Sequence, residues 1–308
     1  MPVQPQTASG EIGTSSRSAA AATDVVILCG GRGTRLGALS AHTPKPLLPV
    51  GGEPFLGHIV RRLQRGGFRR VLFAAQHLAE QFHSFLAAYR QEGLDLRLIV
   101  EPEPLGTGGA LRHAVDTVES PVFVALNGDT WLAEPVSWVL EAHLRAGRQC
   151  TAVIVRSSQV DGGARQKGVW RIENGGQVTG FTTEEAVSDG WINAGCYIFD
   201  SAVVRSWPGG RYSLEAEAPS LLRGVRTGLW YSDGRLLDIG TPACYAEANR
   251  MGLPAMESSS RFTHVPHHRD TERPQKHREG PSRSSLCLCG ILCFCGVIVS
   301  LTGAACLI

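Results

Sequence analysis

Two hydrophobic periods alternate along the first half of the chain. Asp24-Val-Val-Ile-Leu-Cys29 is a continuous apolar run ending on Gly30-Gly31, the pattern of a strand buried on both faces. From Pro54 to Leu63 the apolar residues fall instead at Leu56, Ile59, Val60 and Leu63. That is one face of a helix with proline at its start and Gly66-Gly67 past its end. The alternation repeats: strand over Arg70–Ala75, helix over Leu78–Gln91 closed by Gly93, strand over Leu96–Val100, helix over Gly108–Val118, strand over Pro121–Leu126. It predicts an α/β fold, a Rossmann-like, mixed but mainly parallel sheet flanked by helices. After Cys150 the runs shorten. Strands are expected over Ala152–Val155, Gly168–Ile172, Val178–Phe181 and Asn193–Phe199, separated by glycine turns.

The two ends of the chain break this pattern. Residues 1–22 are rich in Ser, Thr, Ala and Gln, without an apolar core of signal-peptide length, and read as a disordered leader of a cytoplasmic protein. The α/β domain spans 23–253. Residues 254–285 carry Ser, His, Arg and Pro and read as a disordered linker. Residues 286–308 are apolar, cysteine-rich and uncharged. One reading is a transmembrane tail, since a helix of this length spans about 34 Å. Arg278 and Arg283 would then stay on the cytoplasmic side. The other reading is a spurious extension foreign to the domain. Membrane contact is expected only through this segment.

Composition narrows the function. Basic and acidic residues nearly balance, at 30 and 28, which gives no footprint for nucleic-acid binding. Glycine is abundant, 36 of 308 residues, as backbone-lined loops require. Lysine is scarce: Lys45, Lys167 and Lys276 are the only three, so each is expected to have a reason. Five of nine cysteines crowd the tail. Cys29, Cys150, Cys196 and Cys244 are scattered, as buried free thiols are.

Four segments carry chemistry. Leu28-Cys-Gly-Gly-Arg-Gly-Thr-Arg-Leu36 follows the first strand, and its glycines let backbone N–H groups approach a polyphosphate. Arg35 can grip phosphate oxygens in bidentate fashion. The loop matches neither the P-loop nor the G-x-G-x-x-G dinucleotide fingerprint. Lys45 stands between Pro44 and Pro46, which restrict the backbone on both sides. In Glu101-Pro-Glu-Pro-Leu-Gly-Thr-Gly-Gly-Ala110, the glycines leave room for a base or ribose. Val124-Ala-Leu-Asn-Gly-Asp129 ends a strand in an acid at the ligand-binding edge of a parallel sheet, and such a carboxylate suits Mg²⁺. Asp238 in Asp238-Ile-Gly-Thr-Pro242 is either a second metal carboxylate or a helix cap.

Taken in order, these segments resemble the nucleoside-diphosphate-sugar pyrophosphorylase superfamily of sugar-phosphate nucleotidyltransferases, over about Asp24 to Arg250. Within it the chain is most similar to bacterial D-glycero-D-manno-heptose 1-phosphate guanylyltransferases, through Glu103-Pro-Leu-Gly-Thr-Gly-Gly-Ala110, Ile192-Asn-Ala-Gly195 and Tyr212-Ser-Leu-Glu215. N-acetylmuramate 1-phosphate uridylyltransferases share Pro44-Lys45-Pro46. The resemblance implies transfer of GMP from GTP to a heptose 1-phosphate with Mg²⁺, for surface polysaccharide synthesis. Uridylyl or cytidylyl transfer and a non-catalytic nucleotide-sugar-binding protein are the alternatives. It further implies catalytic roles for Arg35, Lys45 and Asp129, metal ligation by Asp129 and Asp238, a nucleotide lined by Gly30, Gly31, Gly33, Thr34, Gly106, Thr107 and Gly108, and a sugar phosphate at Asn193 and Gly195. One departure stands out. Relatives carry a Glu-Lys pair after the strand matching Val178–Phe181, but here no basic residue occurs between Arg171 and Arg205.

Overall fold

The computed structural model describes residues 14–161, 168–173, 177–182 and 191–253. Its centre is a seven-stranded sheet. In chain order the strands are β1 (Asp24–Leu28), β2 (Arg70–Ala75), β3 (Asp95–Val100), β4 (Val122–Asn127), β5 (Cys150–Arg156), β6 (Trp191–Asp200) and β7 (Thr227–Ser232). Across the sheet they run β7-β5-β6-β4-β1-β2-β3. Strand β6 is antiparallel to both its neighbours, β4 and β5, and every other pairing is parallel. The second half of the chain therefore adds three strands to the first half's sheet and pairs Val169–Glu173 with Gln177–Thr182 in a separate two-stranded one. β7, a partly exposed edge strand, was not expected from the pattern.

Strand periodicity sorts the apolar side chains into two cores. Val25 and Ile27 of β1 face helices α2 (Phe55–Arg65), α3 (Gln81–Ala88) and α5 (Val136–Arg145). Val26 faces α4 (Gly106–Ala114), α6 (Ser201–Arg205) and α7 (Leu214–Leu221). Fully buried Phe55, Phe73, Phe82, Phe123 and Phe199 anchor the two layers, each contributing roughly 1.5–3 kcal/mol of transfer free energy. α8 (Pro242–Met251) closes the domain, with Thr241 Oγ1 accepting the Cys244 N–H at 3.2 Å.

The leader expectation needs correction at its end. Residues Thr14–Ala21 form helix α1, which packs on α5 and buries Ala20 completely. Helix propensity of the alanine-rich run outweighs its polar composition. The linker 254–285 and tail 286–308 lie outside the described residues. Among the described residues no helix is long and apolar enough to cross a membrane.

Candidate functional site

All the candidate loops meet at the carboxyl edge of the parallel strands. β1 delivers the Gly30–Arg35 loop, and β4, its neighbour, delivers Asn127-Gly128-Asp129. The short strand Leu236–Asp238 pairs antiparallel with Thr130–Leu132, setting Asp238 opposite Thr130 and one residue from Asp129. Lys45 reaches the same point from a 3-10 turn, Lys45–Leu47, in which Leu47 N–H donates to Pro44 O at 2.8 Å.

Lys45 is the centre of the cluster. It is only 7% exposed, and its Nζ donates to Asp129 Oδ2 and stands 4.0 Å from Asp238 Oδ1. Gly240 explains the motif around Asp238. Its N–H donates to Asp238 Oδ1 at 2.5 Å. A Cβ there would sit 2.5 Å from that same oxygen, 3.0 Å from Lys45 Nζ and 3.4 Å from Arg35 Nη2. Arg35, Lys45, Asp129 and Asp238 thus converge on one cradle floored by bare backbone. Two carboxylates side by side, with no third His, Cys, Asp or Glu grouped with them among the described residues, form a donor set for a hard cation that takes its other ligands from water and phosphate. Asp238 faces this cradle and does not cap α8, where Thr241 serves.

The glycine loop is shaped for close approach. Gly33 adopts φ +63°, and Ser40 Oγ donates to its carbonyl at 2.8 Å, folding the loop back over Lys45. Gly31 has open space above it, and Arg32, Thr34 and Arg35 are exposed. Gly30 lies against Glu101, where a Cβ would come within 2.5 Å of Oε1. Burial pushes the Glu101 carboxyl up, although Leu105 N–H donates to it at 3.2 Å. Cys29, beneath the loop, is held as a thiol first by burial and then by the charges of Asp129 and Glu101, so it is no nucleophile.

The second glycine segment is packed more tightly than its sequence suggests. Gly106, at φ +71°, abuts Tyr212 O, and Gly108 faces the Tyr212 ring. The Thr107 hydroxyl donates to Glu215 Oε2 at 2.7 Å. These residues therefore dock α4 onto the segment before α7, with Gly106 exposed, Thr107 half-buried and Gly108 buried. Asn193 and Gly195 sit where β6 breaks register, with Gly195 at φ +66° beside Asn127. Gly240, Glu215 and Tyr197 contact these residues, though pattern reading gave them no role; the first two lie in the Asp-Ile-Gly and Tyr-Ser-Leu-Glu motifs, and Tyr197 carried no signal. Lys167 and residues 183–190 lie outside the described residues.

Known proteins resemble this chain in sequence and in fold. The family model described as nucleotidyl transferase matches residues 24–251. The mannose-1-phosphate guanylyltransferase of Mycobacterium tuberculosis is 32% identical over 225 residues, 71% of this chain and 61% of that protein, so the chain spans less than two thirds of that relative. The D-glycero-alpha-D-manno-heptose 1-phosphate guanylyltransferase of Campylobacter jejuni is 28% identical over 71% of this chain and 96% of its own length. The crystal structure of HddC from Yersinia pseudotuberculosis, complexed with GMP-PN, superposes with a TM-score of 0.65 at 28% identity, covering 74% of this chain and 99% of that one. A glycine loop, a proline-framed lysine and two strand-end carboxylates converge on one sheet edge within the span of that family model, and the chain belongs to the nucleotidyl transferase family.

Proposed function

We propose that this protein transfers GMP from GTP to a sugar 1-phosphate, D-glycero-D-manno-heptose 1-phosphate, releasing pyrophosphate. The observation that carries this reading is the convergence of Arg35, Lys45, Asp129 and Asp238 around Gly240. Phosphoryl-type transfer requires little covalent help from a protein and mostly positioning and charge stabilisation. Arg35 and the loop amides hold the triphosphate. Lys45, fixed between prolines, neutralises the charge that builds on the α-phosphoryl oxygens as the sugar phosphate oxygen attacks. Asp129 and Asp238 would hold Mg²⁺, which when bound neutralises triphosphate charge. Lys45 Nζ donates to Asp129 Oδ2, which ties the position of the cation-holding carboxylate to that of the lysine.

The heptose relatives support this sugar, because they match this chain over nearly their whole length. The higher identity to the mycobacterial enzyme favours mannose 1-phosphate as the second reading. Pyrophosphate release by the full chain, measured for GTP, UTP and CTP against both sugar phosphates, tests the proposal. Release is expected with GTP and heptose 1-phosphate and is lost in Asp129→Asn. Turnover preserved in that variant would remove Asp129 from the reaction.

A further inference from the structure

A chain of hydrogen bonds runs along the same sheet edge without touching the reacting groups. Glu215 Oε2 accepts from Thr107 Oγ1 at 2.7 Å and from Ser213 Oγ at 2.8 Å. Its other oxygen accepts from the Tyr197 hydroxyl at 3.1 Å. That hydroxyl accepts in turn from Asn193 Nδ2, and Asn193 Oδ1 accepts the Gly195 N–H at 2.9 Å. At the opposite end, Thr107 Oγ1 accepts the Leu214 N–H at 2.8 Å. Tyr197 is 1% exposed and Asn193 7%, and the Tyr197 ring packs against Trp170 and Phe199, so water cannot replace a lost partner.

We propose that Glu215 is a positioning residue. Through Tyr197 it sets the amide orientation of Asn193, and with it the backbone break at Gly195 on the sugar-phosphate side. Through Thr107 it fixes the start of α4 on the nucleotide side. The assignment of those two sides rests on the reading given under Proposed function. Three donors point at Glu215 and none of them can take a hydrogen bond from it without turning away, so the position calls for a carboxylate. A glutamine amide there turns an N–H₂ toward Tyr197. Either the buried phenol loses its acceptor, or Asn193 flips to supply one and releases the Gly195 N–H. Both outcomes are costly because Tyr197 and Asn193 are themselves buried.

The test uses the full chain as wild type, Glu215→Gln and Tyr197→Phe. Amide hydrogen exchange at Gly195 and steady-state kinetics are measured together. Exchange at Gly195 should accelerate about tenfold in both variants, matching the loss of one buried hydrogen bond, while β1 amides stay unchanged. KM for the sugar 1-phosphate should rise about tenfold in both. KM for GTP should stay unchanged in both, because the glutamine carbonyl still accepts from Thr107 and Tyr197→Phe leaves Thr107 bonded to Glu215. Should Glu215→Gln fail to fold, Tyr197→Phe alone decides. Wild-type exchange at Gly195, or variants that melt earlier with both KM values unchanged, would overturn the proposal. A wild type that releases no pyrophosphate with any substrate pair overturns the proposed function instead, and the exchange measurement still judges Glu215.

Discussion

Replacing Lys45 with methionine keeps the side chain's length and removes its charge. Lys45 is buried, and the side chains of Asp129 and Asp238 are 28% and 10% exposed, so solvent screens the cluster only in part. The charge-assisted hydrogen bond to Asp129 contributes about 1.5–3 kcal/mol. The Asp238 carboxylate at 4.0 Å adds a gross attraction of about 4 kcal/mol at an effective dielectric of 20, largely offset by the cost of burying the ammonium. The net expectation is a loss of about 2–3 kcal/mol at neutral pH, which moves the urea midpoint down by about 1 M. Millimolar Mg²⁺ should recover more stability in the variant than in wild type, because the Lys45 ammonium no longer competes with it for the two carboxylates. Turnover should fall by about 10²–10³, the cost of losing one preorganised charge-stabilising donor. Urea melts with and without Mg²⁺, paired with pyrophosphate release, measure all of this. An unchanged midpoint together with near-wild-type turnover would refute the assignment of Lys45.

Three further expectations follow from the geometry. Gly240→Ala pushes a methyl group between Asp238 and Lys45; about 1–3 kcal/mol of overpacking and a turnover loss near 10²-fold are expected, and full activity would show that the cradle is not the reacting site. His143 is 1% exposed, and burial, reinforced by Arg148, lowers its imidazole from 6.5 to about 4. The fold holds it neutral, so its contribution is complete above pH 6.5 and drains away as pH falls toward 4, by about 3 kcal/mol in all. In His143→Gln the stability–pH slope over that window should flatten, and an identical slope would contradict the argument. Arg156, exposed at the carboxyl end of β5 and stacked 4.7 Å over Trp191, is the cation that pairs across to the strand bearing Asn193. Arg156→Gln should raise KM for the sugar 1-phosphate about tenfold and leave KM for GTP alone; no change would place the sugar phosphate elsewhere.

The parallel core was legible because its strands are unbroken apolar runs between glycine turns. Arg70–Ala75 was read to the residue, and β1, β3 and β4 to within one. Helix α1 was not legible: among its described side chains Ala19 and Ala20 make the core contacts, and two small neighbours give almost no apolar period. β7 was missed because an edge strand alternates weakly, and Gly228 sits inside it. In the site, Arg35, Lys45, Asp129 and Asp238 could be picked from glycine, proline and strand-end context. Their convergence could not, since it depends on the antiparallel pairing of Leu236–Asp238 with Thr130–Leu132, about a hundred residues apart. Gly106 and Gly108 meet a second demand that the sequence does not show: Tyr212 packs where each would carry a Cβ. Glu215 gave no chemical signal, because its role lies in three hydrogen bonds that only the fold assembles.

The most direct test of the central claim identifies the product. The full chain is incubated with GTP, Mg²⁺ and an equimolar mixture of heptose 1-phosphate and mannose 1-phosphate, and the nucleotide sugars are separated by mass. The account predicts a GDP-heptose formed in step with pyrophosphate. GDP-mannose in its place would keep the reaction and overturn the sugar. No nucleotide sugar of either mass, while GTP still binds, would contradict the claim that Arg35, Lys45 and the paired carboxylates form a nucleotidyl-transfer site.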